Sequence, residues 1–421
     1  MSGSALVIGL GVSGDAIARW LHGRGQRVVV VEDAPTARTR ERASALEGIE
    51  VREEPSDAEV QTLVRAADVV VPSPGVPEAH PALRWALESG TAVLSEVELA
   101  SREISVPIVG VTGTNGKTTV TTLIAAMLVA SGVRAVAAGN IGPPLVAVVG
   151  QDVDVVVAEL SSFQLRFTER FRPRVGVWLN FAEDHRDWHP DARAYAAAKT
   201  RIWANQAGDD VAVANADDPV VMDAAASAPA RVTTFGLGAA DWRVDAEVLC
   251  TPAGEELARV DTLPRRLPHD LANALAAAAA AVEAGASLRG ARAALRDFRP
   301  LPHRGTLVGE AGGVRWYDDS KATNPHAALA AIRGFPSVVL VAGGRNKALD
   351  LSVLAEAADH VRHVVAIGEA AAEVEAAFAR SRPVTVASSM RAAVKAAEAA
   401  ARPGDVVLLA PACASFDWYG S

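Results

Sequence analysis

The chain has 421 residues, beyond the length at which a single hydrophobic core stops growing, so two or three domains are expected. Half of the residues are apolar, and 41 basic against 50 acidic side chains give a formal charge of −9, which leaves no footprint for nucleic acid or an anionic lipid surface. Two cysteines, Cys250 and Cys413, can neither build a disulfide framework nor supply metal-ligand spacing, and they suit a reducing cytoplasm.

Residues 5–9 read as a buried strand, followed by the turn GLGVSG, a helix to about Leu21 and a strand from Arg27 to Val31 that ends at Glu32-Asp33. That is a βαβ unit. No basic residue precedes Arg19 and no apolar run reaches about 18 residues, so neither a signal peptide nor a membrane span is expected. A further strand, Asp68 to Val71, runs into PSPGVP, a turn that no buried helix or strand accommodates. The apolar run from Val106 to Val111, the turn GTNGKTT and a helix through Val120–Ala130 open a second domain. Strands at Val153–Ala158 and Val175–Asn180 then alternate with helices, which predicts a parallel sheet, and Ala272–Ala284 reads as an alanine-rich helix, with Asp270 as its cap. FRPLPHRG at 298–305 is a second linker. Strands near 338–342, 363–367 and 406–410 alternate with alanine-rich helices in a last wound α/β domain.

Gly113-Thr114-Asn115-Gly116-Lys117-Thr118-Thr119 carries the strongest chemistry. Backbone N–H groups of such a turn converge on phosphate oxygens, the lysine ammonium bridges the outer phosphates, the first threonine ligates Mg²⁺ and the helix adds its positive end. Strict P-loop spacing wants glycine at Val111; this chain has Gly110 and Gly113 instead. GLGVSG fits GxGxxG after a strand, with Asp33 near ribose distance. It suits a diphosphate ligand or, alternatively, a tight packing turn. Read alone, it also suits a nicotinamide-dependent oxidoreductase, which leaves GTNGKTT unexplained.

Glu159 ends a buried strand, where a carboxylate needs a cation, either Mg²⁺ or an ion-pair partner. His185 follows the next strand. Lys199 has, by spacing alone, the look of a solvated helix lysine, while Asn273 offers an amide that matches an adenine edge. Arg304 sits at the second linker, where a guanidinium can clamp phosphate. DDSKATNP, GGRNK and PACASFD place Lys321, Lys347 and Ser415 at three strand ends, a pattern suited to a small carboxylate-bearing substrate.

Taken in order, TGTNGKTT, GNIG (139–142), ELSSFQL, EDH, the AAK of Lys199, NALAA, LPHR, DSKATN and PACASFD resemble the motifs of the Mur ligase family from the first domain to the last residues. The resemblance implies an α/β protein of three domains: a Rossmann-like UDP-sugar domain over 1–96, a central P-loop ATPase domain with a parallel-rich sheet over 97–299, and a Rossmann-like amino-acid domain over 300–421. It implies ATP-dependent ligation of D-glutamate to UDP-N-acetylmuramoyl-L-alanine through an acyl phosphate, with two Mg²⁺ ions, in a cytoplasmic monomer. Val12, Ser13, Asp33 and Ser73 would hold the uridine diphosphate, and Asn140 and His185 the muramoyl-alanine end. Lys117, Thr118, Glu159 and His185 would serve ATP and metal, and Lys199 would be carbamylated to hold the second ion. Asn273 would meet adenine, with Arg304 and Asp319 on the rest of the nucleotide; Lys321, Thr323, Lys347, Ser415 and Phe416 would form the D-glutamate pocket. Lys117, His185, Lys199 and Lys321 are the expected catalytic groups. A related ligase using another UDP-muramoyl or a folate-type acceptor, or a non-catalytic nucleotide-binding scaffold, would share much of this pattern. His269-Asp270 departs from the family's His-Asn pair, and the family continues past FDWYGS through an Arg-Gly and an aromatic residue, so the last domain reads as truncated.

Overall fold

The computed structural model describes residues 3–186, 188–299 and 301–419. They group into two compact units, one of Met1–Phe181, Trp188–Thr262 and Ala272–Arg296, the other of Ala182–Asp187, Leu263–Leu271 and Asp297–Ser421.

The first unit begins with β1 (Ser4–Ile8), α1 (Val12–His22), β2 (Arg27–Glu32), α2 (Ala37–Ser44), β3 (Glu50–Glu53), α3 (Asp57–Ala66), β4 (Val69–Pro72), α4 (Pro81–Ser89), β5 (Ala92–Val93) and α5 (Glu96–Ser101). Its strands form a parallel sheet in the order β3-β2-β1-β4-β5. The unbroken apolar runs of β1 and β2 are buried because helices cover both faces of a parallel sheet. Helix α1 buries Gly14, Ile17, Ala18 and Leu21, a stripe at three- and four-residue spacing. The order reverses at β1, between β2 and β4, which opens a crevice at their carboxyl ends.

A second sheet follows: β6 (Ile108–Thr112), α6 (Lys117–Ala130), β7 (Ala135–Gly139), a 3-10 turn at Leu145–Val148, β8 (Val155–Glu159), α7 (Ser162–Arg166), β9 (Val175–Trp178), α8 (Ala192–Thr200), β10 (Val211–Asn215), α9 (Pro219–Ala225) and β11 (Arg231–Phe235). All six strands are parallel, in the order β11-β10-β9-β6-β8-β7. A small antiparallel sheet of β12 (Arg243–Asp245), β13 (Val248–Cys250) and β14 (Glu256–Arg259) adds to the parallel-rich block that the sequence suggested. Helices α10 (Pro268–Glu283) and α11 (Leu288–Asp297) complete it. Every residue from Leu275 to Ala281 is buried, since alanine lets backbones approach closely. Helix α10 starts at Pro268, so Asp270 lies inside its first turn, accepting the Leu267 N–H at 3.3 Å, and is not the cap the sequence suggested.

The two sheets of this unit share one core cluster, which runs from Ile17 and Leu21 through Val97 and Leu145 to Trp178 and Ala212. Helix α5 pins them. Its buried Glu98 accepts N–H groups from Glu169 (2.8 Å), Arg170 (3.0 Å) and Phe171 (3.0 Å), and pairs with Arg102 at 2.7 Å. Those donors outweigh burial and hold the carboxyl below its ordinary value.

The second unit contains β15 (Thr306–Ala311), β16 (Val314–Asp318), α12 (Pro325–Arg333), β17 (Val338–Gly343), a 3-10 segment at Leu351–His360, β18 (Val361–Ile367), α13 (Ala371–Phe378), β19 (Val384–Ala387), α14 (Met390–Ala400) and β20 (Val406–Leu409). Strand order is β15-β16-β20-β17-β18-β19. The wound parallel sheet expected here carries one addition, an antiparallel β15–β16 hairpin turned by Gly312 and Gly313, both at positive φ.

Candidate functional site

The nucleotide-type turn grows directly out of β6. Gly110 lies within the strand, where an added Cβ would press on Leu160 at 3.1 Å. Gly113 (φ +154°) makes the turn, so it takes over the task that strict spacing would have given to residue 111. Gly116 (φ +84°) precedes the first residue of α6, and a Cβ there would fall 2.5 Å from Asn273 Oδ1. The expected adenine amide therefore stands against the turn itself. The loop is held from the end of β9: Asn180 accepts Thr114 N–H on its backbone oxygen (3.0 Å) and Asn115 N–H on Oδ1 (2.9 Å).

Two ammonium groups meet on one carbonyl. Lys117 Nζ donates to Gly113 O at 2.8 Å and to Thr114 O at 3.0 Å, and Lys199 Nζ donates to Gly113 O at 2.7 Å. Lys199 is 1 % exposed and lies 4.5 Å from the Tyr195 ring centroid, which corrects the solvated helix lysine suggested by spacing. Tyr195, one turn earlier on α8, bonds Thr114 Oγ1 through its hydroxyl at 3.2 Å. A buried ammonium facing a carbonyl and a ring is costly as a charge, and carbamylation would turn it into an amide N–H with a carboxylate-like head.

The acid end lies on β8, beside β6 in the sheet. Glu159 Oε1 accepts Asn140 Nδ2 at 2.7 Å, while Oε2 is buried with no hydrogen-bond partner among the described residues. Gly139 lets the strands close here, since a Cβ would stand 2.4 Å from Glu159 O. An orphaned buried carboxylate oxygen next to a phosphate-type turn fits a hard divalent cation, with Thr118 in the first turn of α6 as a hydroxyl ligand. Among the described residues, no group of three or more His, Cys, Asp or Glu side chains gathers as a ready-made metal site.

On the first sheet, Gly14 is a packing glycine: its added Cβ would meet Gly9 O at 2.0 Å. Gly11 has open space around it, and Val12 is 61 % exposed at the start of α1, with Ser13 half-buried beside it. Ser73 Oγ donates to Gly9 O at 2.7 Å, so the β4 turn and the glycine turn form one rim. Asp33 bonds His80 at 2.8 Å. The sequence singled out Asp33 and passed over Glu32, which accepts the Leu10 N–H at 2.8 Å and so shapes the glycine turn from within.

In the second unit, β16, β20 and β17 are neighbours, so the three loops chosen from sequence leave one sheet edge. Backbone bonds link two of them directly: Arg345 and Ala414 form a bridge, with N···O distances of 2.7 and 3.0 Å. Lys347 pairs with the buried Asp184 at 3.3 Å, and Asn324 Nδ2 donates to the other oxygen of Asp184 at 3.0 Å. Burial opposes ionisation of Asp184, yet His185, Lys347 and Asn324 hold it below the ordinary carboxylate value. His185 follows at φ +54°, a conformation side chains rarely adopt. Asp319 accepts the Gly305 N–H at 3.0 Å, beside Arg304; burial pushes Asp319 up to about 6 against the pull of Gly305, Arg265 and Arg304. Lys321 is exposed, Thr323 half-buried, and Phe416 is 63 % exposed next to Ser415.

Asn180, Tyr195, Asp184 and Asn324 were not assigned roles from sequence. Each lies inside or beside a quoted motif, and their partners are far along the chain, so no spacing rule exposes them.

A glycine turn, a lysine at a helix start and a buried acid on the adjoining strand define a nucleotide-triphosphate-binding α/β protein with flanking Rossmann-like modules. Comparison with known proteins narrows that class. The Mur ligase MurD-like N-terminal domain matches residues 3–95, the Mur ligase middle domain residues 111–281, and the Mur ligase glutamate ligase domain residues 303–413. The chain is 45 % identical over 433 residues to a UDP-N-acetylmuramoylalanine–D-glutamate ligase of Frankia casuarinae, covering 98 % of this chain and 90 % of that one. It is 42 % identical to the protein of the same name from Desulfosudis oleivorans, over 99 % and 93 % of the two chains. In fold it is similar to a pseudomurein peptide ligase type C from Methanothermus fervidus (TM-score 0.62, 20 % identity, 97 % and 96 % covered). It is equally similar to the UDP-N-acetylmuramate-alanine ligase of Thermotoga maritima (TM-score 0.61, 19 % identity, 98 % and 96 % covered). The chain belongs to the Mur ligase family.

Proposed function

We propose that this chain joins D-glutamate to UDP-N-acetylmuramoyl-L-alanine at the expense of ATP, forming an amide during assembly of the peptidoglycan precursor. Similarity over 98–99 % of this chain to relatives named for that reaction supports the substrates. The observation that carries the chemistry is the meeting of Lys117 and Lys199 on Gly113, in the turn that leaves β6, the strand beside the one that ends in Glu159, the partner of Asn140.

The turn from Gly113 to Thr119 and the positive end of α6 hold the triphosphate, and Lys117 exchanges its loop carbonyls for phosphate oxygens. Glu159, Thr118, His185 and carbamylated Lys199 are proposed to hold Mg²⁺, two ions in all. A metal held there would supply positive charge to the phosphates, and Lys117 and the turn position the γ-phosphoryl group against the alanine carboxylate. Asn273 faces the adenine, and Arg304 and Asp319 the remainder of the nucleotide. Val12, Ser13, Asp33 and Ser73 take the uridine diphosphate, and Asn140 and His185 the reacting end. Lys321, Thr323, Lys347, Ser415 and Phe416 orient D-glutamate so that its neutral amine attacks the acyl phosphate, with release of phosphate. The protein's share is positioning and charge neutralisation, with no covalent nucleophile. No helix among the described residues is long and apolar enough to cross a membrane. A cytoplasmic monomer and domain limits of 1–96, 97–299 and 300–421 complete the proposal.

The test combines chain, ATP, Mg²⁺, UDP-N-acetylmuramoyl-L-alanine and D-glutamate, and follows the ligated product by mass and phosphate by colour. Product only when all components are present is expected. Phosphate release that ignores D-glutamate but responds to another amino acid would overturn the substrate assignment.

A further inference from the structure

One imidazole on the rim of the first crevice is fixed at both nitrogens. His80 Nδ1 accepts the Ala82 N–H at 3.2 Å and caps α4, whose first residue, Pro81, has no N–H to compete. A neutral imidazole that accepts at one nitrogen carries its proton on the other. Nε2–H therefore donates to Asp33 Oδ2, 2.8 Å away. The His80 side chain is sheltered at 15 % exposure, whereas Asp33 stands 48 % exposed. Asp33 Oδ1 makes no hydrogen bond among the described residues, so one oxygen is anchored and the other is presented to solvent.

Topology gives this pair its place. Strands β2 and β4 flank β1; Asp33 follows β2, and His80 ends the loop that leaves β4 past Ser73. The bond thus spans the end of β1, where the glycine turn begins, at the point where strand order reverses.

We propose that His80 is a positioning residue for the nucleoside end of a nucleoside-diphosphate-sugar substrate, holding Asp33 so that its second oxygen accepts from a ribose hydroxyl or a base N–H. The inference rests on the proposed assignment of the first module to the UDP-sugar. His80→Asn separates cap from reach: the shorter amide still caps α4 but falls short of Asp33.

The experiment measures KM and kcat for ligation with His80→Asn, Asp33→Asn and the double variant, together with thermal midpoints. Expected for His80→Asn is a rise of about three- to tenfold in KM for the UDP-sugar, the size of one partly exposed hydrogen bond to a charged group. KM for ATP and D-glutamate, kcat and the thermal midpoint should stay within twofold or within a degree or so of the parent. Adding His80→Asn to Asp33→Asn should have no further effect, because the first acts through the second. An additive double variant, or a UDP-sugar KM that is unchanged or lower in His80→Asn while Asp33→Asn raises it, overturns the role of His80 alone. A KM unmoved by Asp33→Asn overturns the assignment of Asp33 to the nucleotide site and the inference with it.

Discussion

The first unit contains two glycine turns, each between a buried parallel strand and a helix, and they use glycine differently. In GLGVSG, Gly14 serves packing, because its Cα lies under the Gly9 carbonyl, while Gly11 faces open space. Glu32 already holds one amide of that turn. In GTNGKTT, both Gly113 and Gly116 have positive φ, and the loop is braced by Asn180 on one side and Asn273 on the other. Its carbonyls also draw two lysines inward. The first turn shapes a rim, and the second concentrates positive charge. A glycine pattern states that backbone comes close to something; the neighbouring side chains decide what that something is.

The sharpest break in this comparison comes from Lys117→Ala. Loss of a preorganised charge at the transferring phosphoryl group should lower ligation by about a thousandfold or more with little change in the thermal midpoint. Turnover near that of the parent would remove the second turn from the chemistry. In the first turn, Gly14→Ala should act on folding instead. A Cβ 2.0 Å from a backbone oxygen cannot be tolerated without moving α1, and we expect a loss of about 3 kcal/mol, read as a fall of several degrees in the thermal midpoint. An unshifted midpoint would show that the helix gives way freely.

A third test probes the joint between the two sheets. Burial pushes Glu96 up to about 7, and its hydrogen-bond partners, the amides of Val146, Leu145 and Gln164, are uncharged. A carboxyl raised in the folded state binds its proton more tightly folded than unfolded. Stability is therefore unaffected below the ordinary value, falls as pH rises from about 4.5 to about 7, and stays reduced above that. Glu96→Gln keeps an acceptor for Val146, and should match the parent near pH 4.5 and exceed it by up to about 3 kcal/mol at pH 8. Denaturant midpoints at the two pH values check this; a variant less stable at pH 8 contradicts it. The smallest effect belongs to Gly11→Ala, which meets no atom within 4 Å and should leave the midpoint unchanged. If GLGVSG cradles a diphosphate, the same methyl should raise KM for the UDP-sugar by a few-fold. No effect on KM would leave the turn a packing device.

Much of this was legible in the chain. Strands such as β1, β2, β8 and β17 are short, mostly apolar runs, and GLGVSG follows β1 and GTNGKTT follows β6 at once, so these strand–turn–helix units could be placed within a few residues. Their motifs also named Lys117, Glu159, Asn140 and Lys199. Strands that are shorter, such as β12 to β14, or more exposed, such as β15, lack that signal, because neither face is continuously apolar.

Sequence alone determined the fold class, the order of the modules and the residue types of the site, since local periodicity and turn chemistry are written in neighbouring positions. Tertiary structure alone decided that Lys199 is buried against Gly113, 86 positions away, that Glu159 keeps one oxygen unsatisfied, and that Glu98 gathers three amides from 169–171. Burial and hydrogen bonding depend on which distant segments pack together. A lysine on an alanine helix looks solvated until the strand end that covers it is in place.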